Sequence, residues 1–191
     1  MDYRTITDKY YPQGTPLGVI YNTHCRAVAD LACRIIKRRG LTVAPDEAYT
    51  AAMLHDIGIF LCHAPSIECR GEAPYILHGP LGADLLRKEG VDEKFARVAE
   101  RHTGSGLTEA DARRLGFPAG RSYLPETTLE RLICYADKFF SKSGASTEKS
   151  LDEVRAGMAR FGEETLTRFD ALHNEFGFPR RFNTEVQKTS I

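Results

Sequence analysis

Apolar residues spaced three or four positions apart recur along nearly the whole chain, and this spacing constrains the fold more than any other feature. In residues 22–39, His24, Val28, Leu31 and Ile35 follow one another at intervals of four, three and four. That pattern marks one face of a helix. No clear segment alternates apolar and polar residues as a half-buried strand does. The sequence therefore predicts an all-α protein.

The residues that begin and end helices divide this pattern into segments. The first helix is predicted to be capped by Asn22 or Thr23 and to stop at Gly40, and Thr108 and Asp111 are spaced for a capping box at a later one. Further helices are predicted over residues 45–58, 80–88, 93–102, 108–115, 126–141 and about 150–176. The segment 116–125 between them is predicted to be a loop, either a lid or a simple connection.

The length of 191 residues predicts a single domain, 1–191, with a core at 22–142 and the helix at about 150–176 packed on it. The apolar stripe of that last helix also allows a homodimer seam, with packing on its own domain as the default.

Charge and cysteine usage exclude several function classes. The 26 basic and 26 acidic residues give a formal net charge of 0, which provides no bulk attraction to nucleic acid or to a membrane. No run of 18 apolar residues predicts a membrane span, and the polar start of the chain lacks a signal-peptide core. Five cysteines without a C-x-x-C pair are typical of reduced thiols. We expect a cytoplasmic protein.

Histidines and aspartates occur where the helical pattern places apolar neighbours. They are His24, His55, Asp56, His78, His102 and Asp137. A single inward histidine is more often a hydrogen-bonded core residue than a ligand, and a buried aspartate is more often a cap or an ion-pair partner. Six such residues on one small helical core favour a shared explanation. Imidazoles and carboxylates ligate zinc, iron and manganese, and the cation offsets the buried negative charge.

The adjacent pair His55 and Asp56 is unusual, because consecutive helical residues diverge by about 100°. Near a helix end that faces a cavity, the two side chains can approach one metal from two directions. Asp56 has two carboxylate oxygens and could bridge two ions. We therefore predict that this pair ligates metal.

Five motifs resemble those of a known family. They are "HxxxVAxxA" at 24–32, "MLHDIG" at 53–58, "LHGPLGADLL" at 77–86, "RHTG" at 101–104 and "CYADKF" at 134–139. In this order they resemble the HD-domain superfamily of metal-dependent phosphohydrolases, in its branch with six ligands and two metals. The chain is most similar to the symmetrical diadenosine tetraphosphate hydrolases and to related HDIG proteins.

The resemblance implies a helical bundle with a metal site in its core. It implies a first metal on His24, His55, Asp56 and Asp137, and a second on Asp56, His78 and His102. The implied cofactor is one or two divalent ions, with iron or manganese favoured and zinc, nickel or magnesium as alternatives. A metal-activated water would then hydrolyse a small phosphorylated substrate, a nucleotide by preference.

The chain departs from the family at Ile59, where many relatives carry a lysine thought to contact phosphate. The cations near the proposed ligands are Arg26, Arg101, Lys138 and Lys142. Each alone is more often a solvated surface charge. Arg101 and Lys138 directly neighbour proposed ligands, so we predict that they act in catalysis together with Asp56.

Two other functions fit the same residues. The first is a di-iron oxygenase built on the same ligands. The second is a metal-stabilised nucleotide-binding module without catalytic activity, in which the replacement of the lysine by Ile59 accompanies the loss of activity. The substrate depends on the loops around the site, which the motifs do not specify.

Overall fold

Helices form nearly all of the regular structure in the computed structural model, which describes residues 2–143 and 147–177. The helices are α1 (Arg4–Tyr10), α2 (Pro16–Arg39), α3 (Pro45–Leu54), α4 (His78–Lys88), α5 (Glu93–Arg101), α6 (Glu109–Arg114), α7 (Thr128–Asp137), α8 (Leu151–Ala159) and α9 (Glu163–Phe176). Single 3₁₀ turns occur at Ile59–Leu61, Pro65–Ile67 and Tyr75–Leu77. The predicted all-α fold is confirmed.

A small sheet lies between α3 and α4 and was not predicted. Its strands are β1 (Cys62–Ala64), β2 (Cys69–Arg70) and β3 (Ala73–Pro74), in the order β2-β1-β3. Strand β1 runs antiparallel to β2 and parallel to β3. Strands of two or three residues are too short to show an alternating pattern, which explains why periodicity did not reveal them.

The hydrophobic core lies between two helix pairs. Helix α2 packs on α3, α4 packs on α5, and α7 contacts α2, α3 and α5. Leu31 and Ile35 of α2 and Leu132 of α7 are almost fully buried in this core. Each such side chain stabilises the fold by about 1.5–3 kcal/mol relative to an exposed position. The core thus joins every helix that carries one of the six His and Asp residues.

Helix α2 begins earlier than predicted. Thr15 is its N-cap and accepts a hydrogen bond from the Gly18 backbone N–H, and Pro16 occupies the first turn. Asn22, one of the two predicted caps, lies inside the helix and donates to the Gly18 carbonyl. A proline in the first turn after a threonine is a standard helix start, and it extends α2 by almost two turns. The stop at Gly40 is confirmed by its left-handed backbone.

The segment 150–176 is two helices, not the one predicted. Gly162 separates α8 from α9 with a φ of 110°, which breaks the helical path. Phe161, placed on the inward stripe by the sequence pattern, is 70% exposed. Phe169 and Phe176 of α9 are buried within the same chain, so packing on its own domain is the observed arrangement. The predicted domain limits at 178–191 lie outside the described residues.

The remaining connections agree with the sequence in part. The capping box of Thr108 and Asp111 is present at α6. Helices α3 and α7 stop at Leu54 and Asp137, four residues before their predicted ends. In the segment 116–125, Tyr123 is buried and pairs with Leu107 through backbone hydrogen bonds, as a fixed connection does. Among the described helices, none has the length and apolar character needed to cross a membrane.

Candidate metal centre

All six predicted His and Asp residues meet at one buried point in the helical core. They come from α2 (His24), the turn after α3 (His55 and Asp56), the start of α4 (His78), the end of α5 (His102) and the end of α7 (Asp137). None is more than 7% exposed. Side chains that are distant in sequence therefore form one polar cluster inside an apolar core.

Four of these side chains form a first group. His24 Nε2 lies 3.1 Å from Asp56 Oδ2 and 3.0 Å from Asp137 Oδ1. His55 Nε2 lies 3.1 Å and 3.5 Å from the same two oxygens. Ligand atoms that share one ion at bond lengths of about 2.0–2.2 Å stand about 3.0–3.5 Å apart. The group has the donor types and the spacing of a divalent metal site.

The second group shares Asp56 with the first. Asp56 Oδ1 lies 3.4 Å from His78 Nε2 and 3.4 Å from His102 Nε2. Asp56 Oδ2, the other oxygen of the same carboxylate, faces the first group. Asp56 therefore presents one oxygen to each group, which is how a carboxylate that bridges two ions is placed.

Backbone carbonyls fix the orientation of three imidazole rings. The Nδ1 atoms of His55, His78 and His102 donate to carbonyls three residues earlier, at 2.6, 2.7 and 2.8 Å. Because a carbonyl only accepts, each Nδ1 carries the proton. Nε2 is then the ring atom that faces the cluster, as it is in histidines that bind metal. Burial opposes protonation of His55, but Asp56 raises its pKa well above the usual value, so this ring loses its Nε2 proton when it binds a metal.

The short distance between His78 and His102 indicates whether a cation fits between them. Their Nε2 atoms are only 3.0 Å apart, although both rings carry their proton on Nδ1. Burial and the nearby His102 lower the pKa of His78 to about 3, so His78 is neutral at neutral pH. Two lone pairs that face each other at this distance repel unless a cation lies between them. The donor set therefore fits a bound metal.

The two carboxylates are ionised despite their burial. Burial alone raises the pKa of Asp56, but His55 and Lys142 outweigh it and hold that pKa well below its usual value. Burial likewise opposes ionisation of Asp137, yet Lys138 and His24 lower its pKa. Both oxygens of Asp56 are buried and neither accepts a hydrogen bond of regular geometry, although the Lys142 ammonium group lies 2.7 Å from Oδ2. Such an orphaned anion is costly unless a cation compensates it.

Two glycines allow the ligand-bearing segments to meet. A Cβ on Gly58 would lie 2.2 Å from the His78 carbonyl oxygen, so α4 packs directly on the turn that follows Asp56. A Cβ on Gly79 would lie 2.8 Å from the Ala99 carbonyl oxygen of α5. Any larger residue at either position would separate the backbones and move the histidines apart.

Two buried tyrosines support the turn, and the sequence patterns did not single them out. The rings of Tyr11 and Tyr21 stack with centroids 3.7 Å apart. The Tyr11 hydroxyl donates to the Ile57 carbonyl at 2.7 Å, and the Tyr21 hydroxyl donates to the Met53 carbonyl. These carbonyls lie on either side of His55 and Asp56. The stacked pair thus holds both ends of the turn.

A cavity of about 430 Å³ opens beside the cluster. His78, His102 and Asp137 form its floor, with Tyr75 and two lysines at the side. The rest of the wall is mostly apolar, with the charged side chains of Asp111 and Arg114 also present; its apolar residues are Ile76, Leu107, Leu115, Met158 and Phe161. A small molecule with one polar end and one apolar end fits this division.

Of the four candidate cations, two lie at the cluster. Lys138 Nζ is 2.6 Å from Asp137 Oδ2, and Lys142 Nζ is 2.7 Å from Asp56 Oδ2. Arg101, which we expected to act in catalysis, directs its guanidinium to Glu126 at 2.6 Å and not to the cluster. Arg26 is exposed. Arg101 points away because consecutive residues of a helix face different sides, and its neighbour His102 faces the cluster.

Residues 21–141 match the HD domain family, and that segment contains all six residues of the cluster. The chain belongs to the HD domain family. An HD domain with a buried His and Asp cluster has the fold of a metal-dependent phosphohydrolase. The match does not separate the branches of the family, so the similarity to diadenosine tetraphosphate hydrolases stays a prediction.

Three archaeal relatives share part of this HD domain. An uncharacterised protein of Methanocaldococcus jannaschii is 38% identical over 117 residues, 60% of this chain and 62% of its own length. Proteins named tRNA (cytidine(56)-2′-O)-methyltransferase match in Thermoplasma volcanium (36% identity, 62% of this chain, 31% of that protein) and in Picrophilus torridus (38%, 47% and 23%). The matched segment thus spans less than two thirds of each relative. No solved structure gives a significant match.

Proposed function

We propose that this HD domain protein is a metal-dependent phosphohydrolase that cleaves a small phosphoester, with a nucleotide as the favoured substrate. The observation that carries the proposal is the position of Asp56, whose two oxygens face two separate histidine pairs at 3.1 and 3.4 Å. Hydrolysis of phosphoesters commonly uses two such adjacent ions.

The six residues of the cluster form two groups, each suited to hold one ion. His24, His55, Asp56 and Asp137 would hold one divalent ion, and Asp56, His78 and His102 would hold the other. A divalent ion at these positions supplies Lewis acidity and a water whose pKa is lowered toward neutrality. Carboxylates and imidazoles suit iron and manganese as well as zinc.

Other residues of the chain orient the substrate. The ammonium group of Lys138 is held by Asp137 and by the His102 carbonyl, and it adds positive charge beside the cavity floor. This charge attracts the phosphate end of a substrate. The apolar wall, which includes Met158 and Phe161, packs against the leaving group and keeps water from that side of the cavity.

We propose a small molecule as the partner, not tRNA. The names of two relatives mention tRNA, but the shared segment covers less than a third of each of those proteins. The formal net charge of 0 also provides no electrostatic footprint for nucleic acid. These names do justify including ribonucleoside 2′- and 3′-monophosphates among the substrates tested.

The test compares wild type with Asp56→Asn for metal content and for phosphate release. Substrates are nucleoside 5′-, 3′- and 2′-monophosphates and dinucleoside polyphosphates, each with Mn²⁺ or Fe²⁺. We expect hydrolysis by wild type and a loss of about 1000-fold or more in the variant, since the bridging carboxylate organises both ions. Asp84→Asn is the matched control, because Asp84 is an exposed residue of α4.

Two outcomes would replace this proposal. Bound metal without turnover of any phosphoester, together with a visible absorption band after anaerobic reduction and exposure to oxygen, would identify the di-iron oxygenase. Bound metal with neither activity would identify the silent binding module. Absence of metal from a folded wild-type protein would refute the metal centre itself.

A further inference from the structure

Each of the two cluster carboxylates is contacted by a lysine. One lysine contacts a carboxylate oxygen that the histidines of the first group do not face, and the other contacts an oxygen that they do face. Lys138 Nζ contacts Asp137 Oδ2, while the histidines of the first group face Asp137 Oδ1. Lys138 also donates to the His102 carbonyl at 2.9 Å, which holds its ammonium group in place. Lys138 therefore leaves the oxygen that faces the histidines free to bind metal.

Lys142 does the opposite. Its Nζ lies 2.7 Å from Asp56 Oδ2, the oxygen that His24 and His55 also face at 3.1 Å. A divalent ion held by the first group needs this oxygen. An ammonium group and a divalent ion on one carboxylate oxygen repel each other, so each weakens the binding of the other. Lys142 and the metal thus compete for Asp56.

The cavity offers Lys142 a second position. Its side chain is only 14% exposed, and it lines the 430 Å³ cavity beside Tyr75, with Nζ 5.9 Å from the centre of that ring. A lysine side chain has four rotatable carbons and reorients easily. An ammonium group released from Asp56 can therefore turn into the cavity.

Charge balance indicates what it meets there. Asp56 and Asp137 carry two negative charges, which Lys138 and Lys142 neutralise at 2.6 and 2.7 Å. Each divalent ion adds two positive charges to this buried site, and such an excess favours an anion. Ile59, which follows the turn that carries Asp56, is fully buried and brings no charge to the site. Lys142 is then the mobile cation at the site.

We propose that Lys142 is a phosphate-binding residue that exchanges partners: it leaves Asp56 when a metal ion binds and then holds the phosphate group of the substrate. This inference rests on the proposed function, because it requires the same metal centre. Under this proposal Lys142 weakens metal binding and strengthens phosphate binding. A residue with only a structural role would not affect the two in opposite directions.

The experiment measures Mn²⁺ binding to the chelator-treated protein by calorimetry and then the binding of inorganic phosphate to the Mn²⁺-loaded protein. For Lys142→Met we expect Mn²⁺ binding about 3–10-fold tighter, since a competing cation is removed, and phosphate binding about 10-fold or more weaker, since a charge-assisted hydrogen bond is lost. For Lys138→Met we expect no gain in Mn²⁺ affinity. Lys142→Gln, which can still donate to Asp56, gives the same two directions if the methionine variant does not fold.

Parallel weakening of Mn²⁺ and phosphate binding in the Lys142 variants, or no change in either, overturns the inference. If wild type hydrolyses a phosphoester in that case, the proposed function stands without it. If wild type binds no Mn²⁺, the proposed function and this inference fail together.

Discussion

Replacing Tyr11 with phenylalanine removes a buried hydroxyl that holds the turn bearing His55 and Asp56. This hydroxyl donates to the Ile57 carbonyl at 2.7 Å and accepts from the Phe60 backbone N–H at 3.3 Å. The ring itself keeps its stack on Tyr21. The substitution therefore changes hydrogen bonding at the turn while it conserves the apolar packing.

The structure sets the size of the effect. Removing the hydroxyl leaves a carbonyl and an N–H without their partner in a region where Tyr11 is fully buried. Unsatisfied buried groups cost about 1–3 kcal/mol each, so we expect a loss of about 2 kcal/mol in the free energy of unfolding. For a chain of this length that loss lowers Tm by about 4–8 °C. Partners that orient metal ligands typically change metal affinity by 10–100-fold, and we expect about 10-fold weaker Mn²⁺ binding.

The assay is thermal unfolding and Mn²⁺ calorimetry on the same preparations. Tyr123→Phe is the matched control, because this residue is also buried and its hydroxyl donates to the Pro118 carbonyl and accepts from Arg121 Nε, neither of which belongs to the cluster. We expect the control to lose stability but to keep the Mn²⁺ affinity of wild type. Tyr21→Phe, which loses one hydrogen bond, should fall between wild type and Tyr11→Phe. Equal Mn²⁺ affinity in Tyr11→Phe and Tyr123→Phe would refute the role of Tyr11 in the turn.

Three further predictions follow from the geometry. Gly58→Ala places a Cβ 2.2 Å from a backbone oxygen of α4. We expect this substitution to lower the free energy of unfolding in urea by about 3 kcal/mol or more and to abolish Mn²⁺ binding. Its control, Gly157→Ala, has open space around it and should stabilise helix α8 slightly. Chelation should lower the free energy of unfolding of wild type by about 2.7 kcal/mol relative to protein with free metal at 100 times Kd, with a corresponding fall in Tm, and leave Asp56→Asn unchanged. Although partial burial opposes it, hydrogen bonding by Thr108 lowers the pKa of Asp111, so this carboxylate stabilises the protein above its ordinary pKa of 3.8. That contribution is lost as pH falls through the lowered pKa, so the unfolding free energies of wild type and Asp111→Asn in urea should converge as the pH falls below 3.8.

The cluster residues could be found from the sequence because each is a polar residue in an otherwise apolar neighbourhood, on the inward side or at the edge of a predicted helix. His24 and Asp137 belong to helices α2 and α7, whose apolar stripes extend over several turns and predict which side is buried. That these residues meet was inferred from their occurrence on one small helical core and from the family resemblance, and the structure brings them together. Their role as metal ligands stays a prediction.

Helix ends were less predictable, because several residues near each end can serve as caps. Thr15 followed by Pro16 is as good a start as Asn22, and only packing decides between them. The break at Gly162 was missed because the three-and-four spacing continues across it. Phe161 fits that spacing and yet is exposed, since a pattern does not record a change in helix direction.

The supporting residues were the least predictable. Lys142 lies beyond the last residue of α7, where no helical period relates its direction to that of Asp137. Tyr11 precedes the family segment, and it supports the turn by donating a hydrogen bond to a backbone carbonyl. Because every residue has a backbone carbonyl, the sequence does not indicate which one accepts this bond. Arg101 was selected for its place beside His102, although neighbours in a helix point to different sides.

The floor and the wall of the cavity come from different parts of the chain. The His and Asp residues of the floor lie within the family segment 21–141, whereas Met158, Phe161 and Thr165 of the wall belong to the α8–α9 hairpin beyond it. That hairpin packs on α7 through Phe169 and Phe176, away from the metal-facing side chains. A different covering element on α7 would therefore change the wall of the cavity while the cluster on its floor stays the same, and under the proposed function it would change which leaving group fits. HD domains that share this centre need not share a substrate.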